Sequence, residues 1–158
     1  MQVGEAVLSP PNPLRILIVE DEILIALELE SLLQDEGHEV VGVAASSRDA
    51  LALAESQGPD LAFVDIHLAD GPTGVEAARR LARERGITVL FMTANAKRIP
   101  DDFAEAHGVI AKPYTERGVL QALDYVIASR DGAGLPSVDT LSFVPFLQRG
   151  TRSQSRSA

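Results

Sequence analysis

The sequence predicts an α/β protein, a doubly wound parallel sheet of five strands with helices on both faces, and three observations carry that expectation. From Leu14 to Arg130, apolar runs of strand length alternate with amphipathic stretches of helix length, the pattern of a parallel sheet covered on both sides. Turn residues punctuate the joins, at Gly37, Gly58-Pro59, Gly71-Pro72 and Gly86. The apolar runs also stop abruptly on polar groups, most plainly where Leu61-Ala62-Phe63-Val64 ends on Asp65. A buried strand has no use for a carboxylate unless something at its tip pairs or reacts with it.

The elements follow in order. Arg15-Ile16-Leu17-Ile18-Val19 is the first strand and runs into Glu20-Asp21-Glu22; a helix to about Glu36 follows, with Ile23, Leu27, Glu30 and Leu33 at helical spacing and Gly37 as its stop. Glu39 to Ala45 reads as strand two, and Ser46 or Ser47 can cap a helix to Gln57. Strand three ends at Asp65, and a loop through Gly71-Pro72 leads to a helix from Thr73 to Arg85. Strand four, Ile87 to Met92, stops at Thr93-Ala94-Asn95, and Pro100, a favoured first-turn residue, starts a short helix. Strand five, Gly108 to Ala111, runs into Lys112-Pro113 before a last helix, Thr115 to about Ser129, with Val119, Leu120, Leu123, Val126 and Ile127 on one side. That makes five strands and five helices.

The 158 residues suit one domain. Residues 1–13, with Pro10, Pro11 and Pro13, read as a flexible leader, residues 14–130 as the domain, and residues 131–158 as a partly disordered tail without an output domain. Within that tail Leu141 to Leu147 is apolar enough to dock, although Pro145 disfavours a central strand. There is no cysteine, which excludes disulfides and thiolate metal sites, and no apolar run approaches the roughly 20 residues of a membrane span. A cytoplasmic protein with no membrane insertion is expected. The net charge of −9 would repel nucleic acid. Arg149, Arg152 and Arg156 read as a solvated terminus, and His38, His67 and His107 lack ligand spacing, which favours surface or capping roles.

In an open parallel α/β sheet, ligands sit outside the carboxyl ends of the strands. The ordering above puts Glu20-Asp21, Asp65, Thr93 and Lys112 at one rim. Clustered carboxylates repel one another unless a cation compensates, and an oxygen-rich pocket without His or Cys pairs suits Mg²⁺. With Lys112 opposite, such a metal would neutralise an incoming phosphoryl group, and Asp65 could act as nucleophile and become an acyl phosphate.

This set, Glu20-Asp21, Asp65, Thr93 and Lys112-Pro113, resembles the receiver domain of bacterial two-component response regulators, in particular stand-alone, chemotaxis-receiver-like members, over about residues 14–130. The resemblance implies a flavodoxin-like sheet of order 2-1-3-4-5. It implies Asp65 as phosphoacceptor, Asp21 as a direct Mg²⁺ ligand, Glu20 as a ligand through water, and the backbone carbonyl of His67 as a further ligand. Thr93 would hydrogen-bond the phosphoryl oxygen, Lys112 would pair with it, and the Lys112-Pro113 peptide would be cis. The implied partners are a sensor histidine kinase or phosphotransfer protein and a downstream protein whose binding changes near the short helix and strand five. Such a chain promotes its own phosphorylation and dephosphorylation and is not otherwise an enzyme.

Two departures stand out. The family's usual aromatic, three residues before the lysine, is here Val109, and the first acidic position is Glu20 rather than Asp. Competing readings are a non-phosphorylated receiver-like binding module, a phosphate sink or shuttle in a phosphorelay, and an enzyme on the same fold. The acidic loop Glu20-Asp21-Glu22 disfavours a flavin phosphate, and His67 stands where an aspartate-dependent phosphatase would want a second Asp.

Overall fold

The computed structural model describes residues 13–132 and 143–146. Six strands form one sheet in the order β2-β1-β3-β4-β5-β6: β1 (Arg15–Val19), β2 (Glu39–Ala44), β3 (Leu61–Asp65), β4 (Thr88–Thr93), β5 (Gly108–Ala111) and β6 (Phe143–Pro145). The first five are parallel in the expected order 2-1-3-4-5. Four α-helices lie among the described residues, α1 (Ile23–Asp35), α2 (Ser47–Gln57), α3 (Gly74–Arg85) and α4 (Glu116–Asp131).

The period-2 alternation of the strands builds two cores. Leu17, Val19, Ala62, Val64, Val89 and Phe91 face α2 and α3 through Ala50, Ala54, Ala78 and Leu81. Ile16, Ile18, Phe63, Leu90, Met92 and Ile110 face α1 and α4 through Ala26, Leu29, Leu33, Val119 and Leu123. Burying each such branched side chain stabilises the fold by about 1.5–3 kcal/mol. The central strands are apolar on both sides because both sides are covered.

Helix ends follow local chemistry. Ser46 caps α2, its Oγ accepting the Asp49 N–H at 3.1 Å, and Thr115 caps α4 through the Gly118 N–H at 3.0 Å. Gly58, Gly86 and Gly132 end α2, α3 and α4 in the left-handed conformation.

Four expectations need correction. The sheet has a sixth strand: β6 lies antiparallel on the outer edge of β5, where Pro145 is tolerated because an edge position spares it a second partner. The helix expected near Pro100 is replaced by two 3-10 turns, Ala96–Arg98 and Phe103–Glu105. There the Asp102 side chain accepts the Ala104 N–H at 3.0 Å, a local bond that competes with helix, and Phe103, Ala104 and Glu105 all have positive φ. In α1 the buried stripe is Ala26, Leu29 and Leu33, whereas Ile23 and Leu27 point to solvent. His38 is neither exposed nor a cap: it is buried, and its Nδ1 accepts the Leu14 N–H at 3.0 Å. The expected leader, apart from Pro13, and the expected tail, apart from Asp131, Gly132 and residues 143–146, lie outside the described residues. No helix among the described residues is long and apolar enough to cross a membrane.

Candidate phosphoacceptor site

Strand order decides which side chains meet. β1, β3, β4 and β5 are neighbours, so their carboxyl ends place Glu20, Asp65, Thr93 and Lys112 side by side although up to 92 residues separate them in sequence. Backbone bonds fix each tip: the Glu20 N–H donates to Ala44 O at 2.8 Å and the Lys112 N–H to Thr93 O at 3.0 Å. The Lys112-Pro113 peptide is cis, as the resemblance implied.

Lys112 is the hub. Its Nζ donates to Glu20 Oε1 at 2.9 Å and Asp65 Oδ2 at 3.1 Å, and lies 3.6 Å from Glu22 Oε2. Glu20 is 1% exposed and Asp65 6%, so these are desolvated charges. Burial pushes the Glu20 carboxyl up to about 7 despite the hydrogen bonds from Lys112 and from the Glu22 N–H. Burial alone would depress the Lys112 ammonium, but its bonds to Glu20 and Asp65 outweigh that and hold it above its usual value.

Carboxylate oxygens of Glu20, Asp21, Glu22 and Asp65 all lie within 4.8 Å of one another. One ammonium faces four carboxylates, leaving an excess of negative charge and an all-oxygen donor set, which fits a hard divalent cation such as Mg²⁺. The dull role for Asp21, capping α1, is not taken: the N-cap is Glu22, and no side chain caps that helix.

The cluster opens on a cavity of about 510 Å³ lined by Asp65, Thr93, Asn95, Lys112, His67 and Arg98, among others. Thr93 Oγ1 accepts the Asn95 N–H at 3.0 Å, which holds its hydroxyl at the rim. Val109 is buried in β5 between Phe91 and Val144. Glu20, Asp21, Asp65, Thr93 and Lys112 stand at one rim and His67 lines the cavity; sequence reasoning expected the first five there and invoked only the backbone carbonyl of His67. It missed Glu22, although the run of three acids was a signal, and Arg98, which had none. It also missed the apolar patch of Ile23, Leu24 and Leu27 on the first turns of α1, beside the cavity. The hint was that α1 carries more large apolar residues than one buried stripe can use.

A model of the response regulator receiver domain matches residues 16–124. The phyllosphere-induced regulator PhyR of Methylorubrum extorquens is 38% identical over 120 residues, 75% of this chain and 45% of that protein. The receiver domain of Erythrobacter litoralis PhyR superposes with a TM-score of 0.68 at 29% identity, covering 81% of this chain and 98% of that one. A CheY-like receiver domain protein from Methanospirillum hungatei gives 0.70 at 29% identity, covering 78% and 100%. The chain belongs to the response regulator receiver domain family, phosphoacceptors of two-component signal transduction rather than classical enzymes, and membership implies a kinase partner. It spans about half the length of the first curated relatives it matches.

Proposed function

We propose that this chain is a single-domain response regulator that accepts a phosphoryl group on Asp65 from a sensor histidine kinase or phosphotransfer protein, with Mg²⁺, and signals in the cytoplasm by altered protein binding. The observation that carries this reading is the bond from Lys112 Nζ to Asp65 Oδ2 on the wall of the cavity, with the carboxylates of Glu20, Asp21 and Glu22 clustered within 4.8 Å of that of Asp65.

An Asp65 carboxylate oxygen attacks the phosphorus of a phosphohistidine; the new O–P bond forms as the P–N bond breaks, and the imidazole leaves with a proton. Lys112 offsets charge on the phosphoryl oxygens, and Thr93 donates its hydroxyl to one of them. Asp21 and Asp65 would hold Mg²⁺ directly, Glu20 through water, and the His67 backbone carbonyl would complete the protein's share. The metal would supply electrostatic stabilisation of the transferred group. Ile23, Leu24 and Leu27, exposed beside Glu22 and the cavity-lining Ile25, support docking of the donor protein at this rim. The acyl phosphate adds a charge of about −1.5 to −2, enough to bias a two-state surface.

A receiver-like module that binds protein without phosphorylation is the second reading, and Val109 in place of the usual aromatic favours it. Beryllofluoride, a phosphoryl mimic, separates the two. The phosphoacceptor reading expects Mg²⁺-dependent binding of beryllofluoride by the full chain and none by Asp65→Asn; a folded wild-type chain that ignores beryllofluoride overturns it.

A further inference from the structure

We propose that the outer edge of β5, with the apolar groove beside it, is a strand-addition site for an extended segment of a partner protein, and that residues 143–146 are its resident, displaceable occupant. The site is complete without modification at Asp65, so it stands or falls apart from the phosphoryl reading.

The edge is built to receive a strand. A Cβ on Gly108 would lie 2.6 Å from Phe143 Cε1 and 2.8 Å from the Val144 carbonyl oxygen, so only glycine admits a backbone this close. The register pairs Gly108 with Pro145, Val109 with Val144 and Ile110 with Phe143, and the Phe146 N–H donates to His107 O at 2.9 Å. Phe143 is buried edge-on to Tyr125, ring centroids 5.7 Å apart, and Phe146 stacks on Phe103 at 4.2 Å. Two aromatics three residues apart thus anchor the occupant on opposite faces of the sheet.

Its hold is short and incomplete. Only three residues pair, and Pro145 has no N–H to give. Val144 is half exposed, and beside it a groove of about 480 Å³ stays open between Ile99, Pro100, Phe103, Val109 and Phe146. An occupant with a larger apolar side chain at that position would fill what Val144 leaves.

The groove's far wall is held in a costly conformation. Phe103, Ala104 and Glu105 have φ of 58°, 49° and 64°, three successive non-glycine residues in the left-handed region. Ion pairs from Arg79 to Asp102 and from Arg83 to Glu105 clamp this turn to α3, keeping the Phe103 ring against Phe146. The matching partner is therefore an extended segment with aromatics at i and i+3, bound antiparallel to β5.

The probe is a fluorescein-labelled peptide of residues 141–148, with a second peptide carrying Leu in place of Val144. Binding is read by anisotropy against the full-length wild-type chain and the double variant Phe143→Ser, Phe146→Ser, without Mg²⁺ or phosphodonor. The double variant is expected to bind at least tenfold tighter than wild type, the Leu peptide tighter still, and Gly108→Val added to the double variant to abolish binding. No binding by a double variant whose circular dichroism matches wild type overturns the proposal, as does equal binding to both proteins. Should the double variant not fold, wild type with fluorophenylalanine at position 146 replaces it: excess peptide must shift that fluorine resonance, and an unchanged resonance overturns the proposal. A concentration-dependent doubling of wild-type mass without peptide would make a second copy the occupant and overturn the partner assignment.

Discussion

Glu20 shows how one residue can carry two opposed demands. Its carboxyl sits at the end of β1 with no exposed side-chain surface, where burial favours the neutral acid, yet it borders the carboxylates that suit a divalent cation. With the carboxyl raised to about 7, the proton and the metal compete near neutrality. A raised carboxyl is protonated as pH falls, so acid weakens the site: Mg²⁺ affinity, measured by isothermal titration, is expected to fall about tenfold from about pH 8 to about pH 6. In Glu20→Gln that slope should flatten, because the competing proton is gone. An affinity independent of pH in wild type would remove Glu20 from the metal's surroundings. The sequence displayed Glu20, Asp65 and Lys112 because each interrupts or ends an apolar run. It did not display His38 as a buried acceptor, since a lone histidine before a strand looks the same whether it faces water or the Leu14 N–H.

At the scale of elements, the join between β3 and α3 decides where Asp65 points. Gly74 opens α3 so close to the strand that an added Cβ would lie 2.0 Å from Asp65 O and 2.6 Å from Ile66 Cα. The Gly74 N–H donates to Ile66 O at 2.9 Å, tying helix to strand tip. Gly74→Ala must push the helix away, and overpacking of this kind costs about 1–3 kcal/mol. A matching drop in unfolding free energy in urea is expected, with weakened beryllofluoride binding as Asp65 shifts; a stable, fully binding variant would show that the join yields freely. Such a close approach is invisible in a Pro-Thr-Gly sequence, which reads only as a turn before a helix. The strands, by contrast, were legible almost to the residue because both faces of the sheet are covered and their apolar runs are unbroken. The stretch after β4 was not, because the Asp102 side chain offers a local bond to the Ala104 N–H that defeats a proline's helix signal. β6 escaped notice because a three-residue strand with a proline carries no periodicity; its apolar character was readable, its place on β5 was not.

Across the whole molecule, the parallel order of five strands is what converts scattered acids into a site. Each crossover returns the chain to the same edge, so every strand presents its carboxyl end to one rim, and the central position of β3 sets Asp65 between Glu20 of β1's end and Thr93 of β4. That logic rests on strand order alone, which explains why the acidic site was readable from sequence while the surface that conveys a signal was not. The most direct measurement is intact-protein mass spectrometry after incubating the full chain with acetyl phosphate and Mg²⁺. Wild type is expected to gain one hydroxylamine-labile phosphoryl group, and Asp65→Asn none. An equal adduct on Asp65→Asn, or none on a wild-type chain that binds Mg²⁺, would contradict phosphoryl transfer to Asp65.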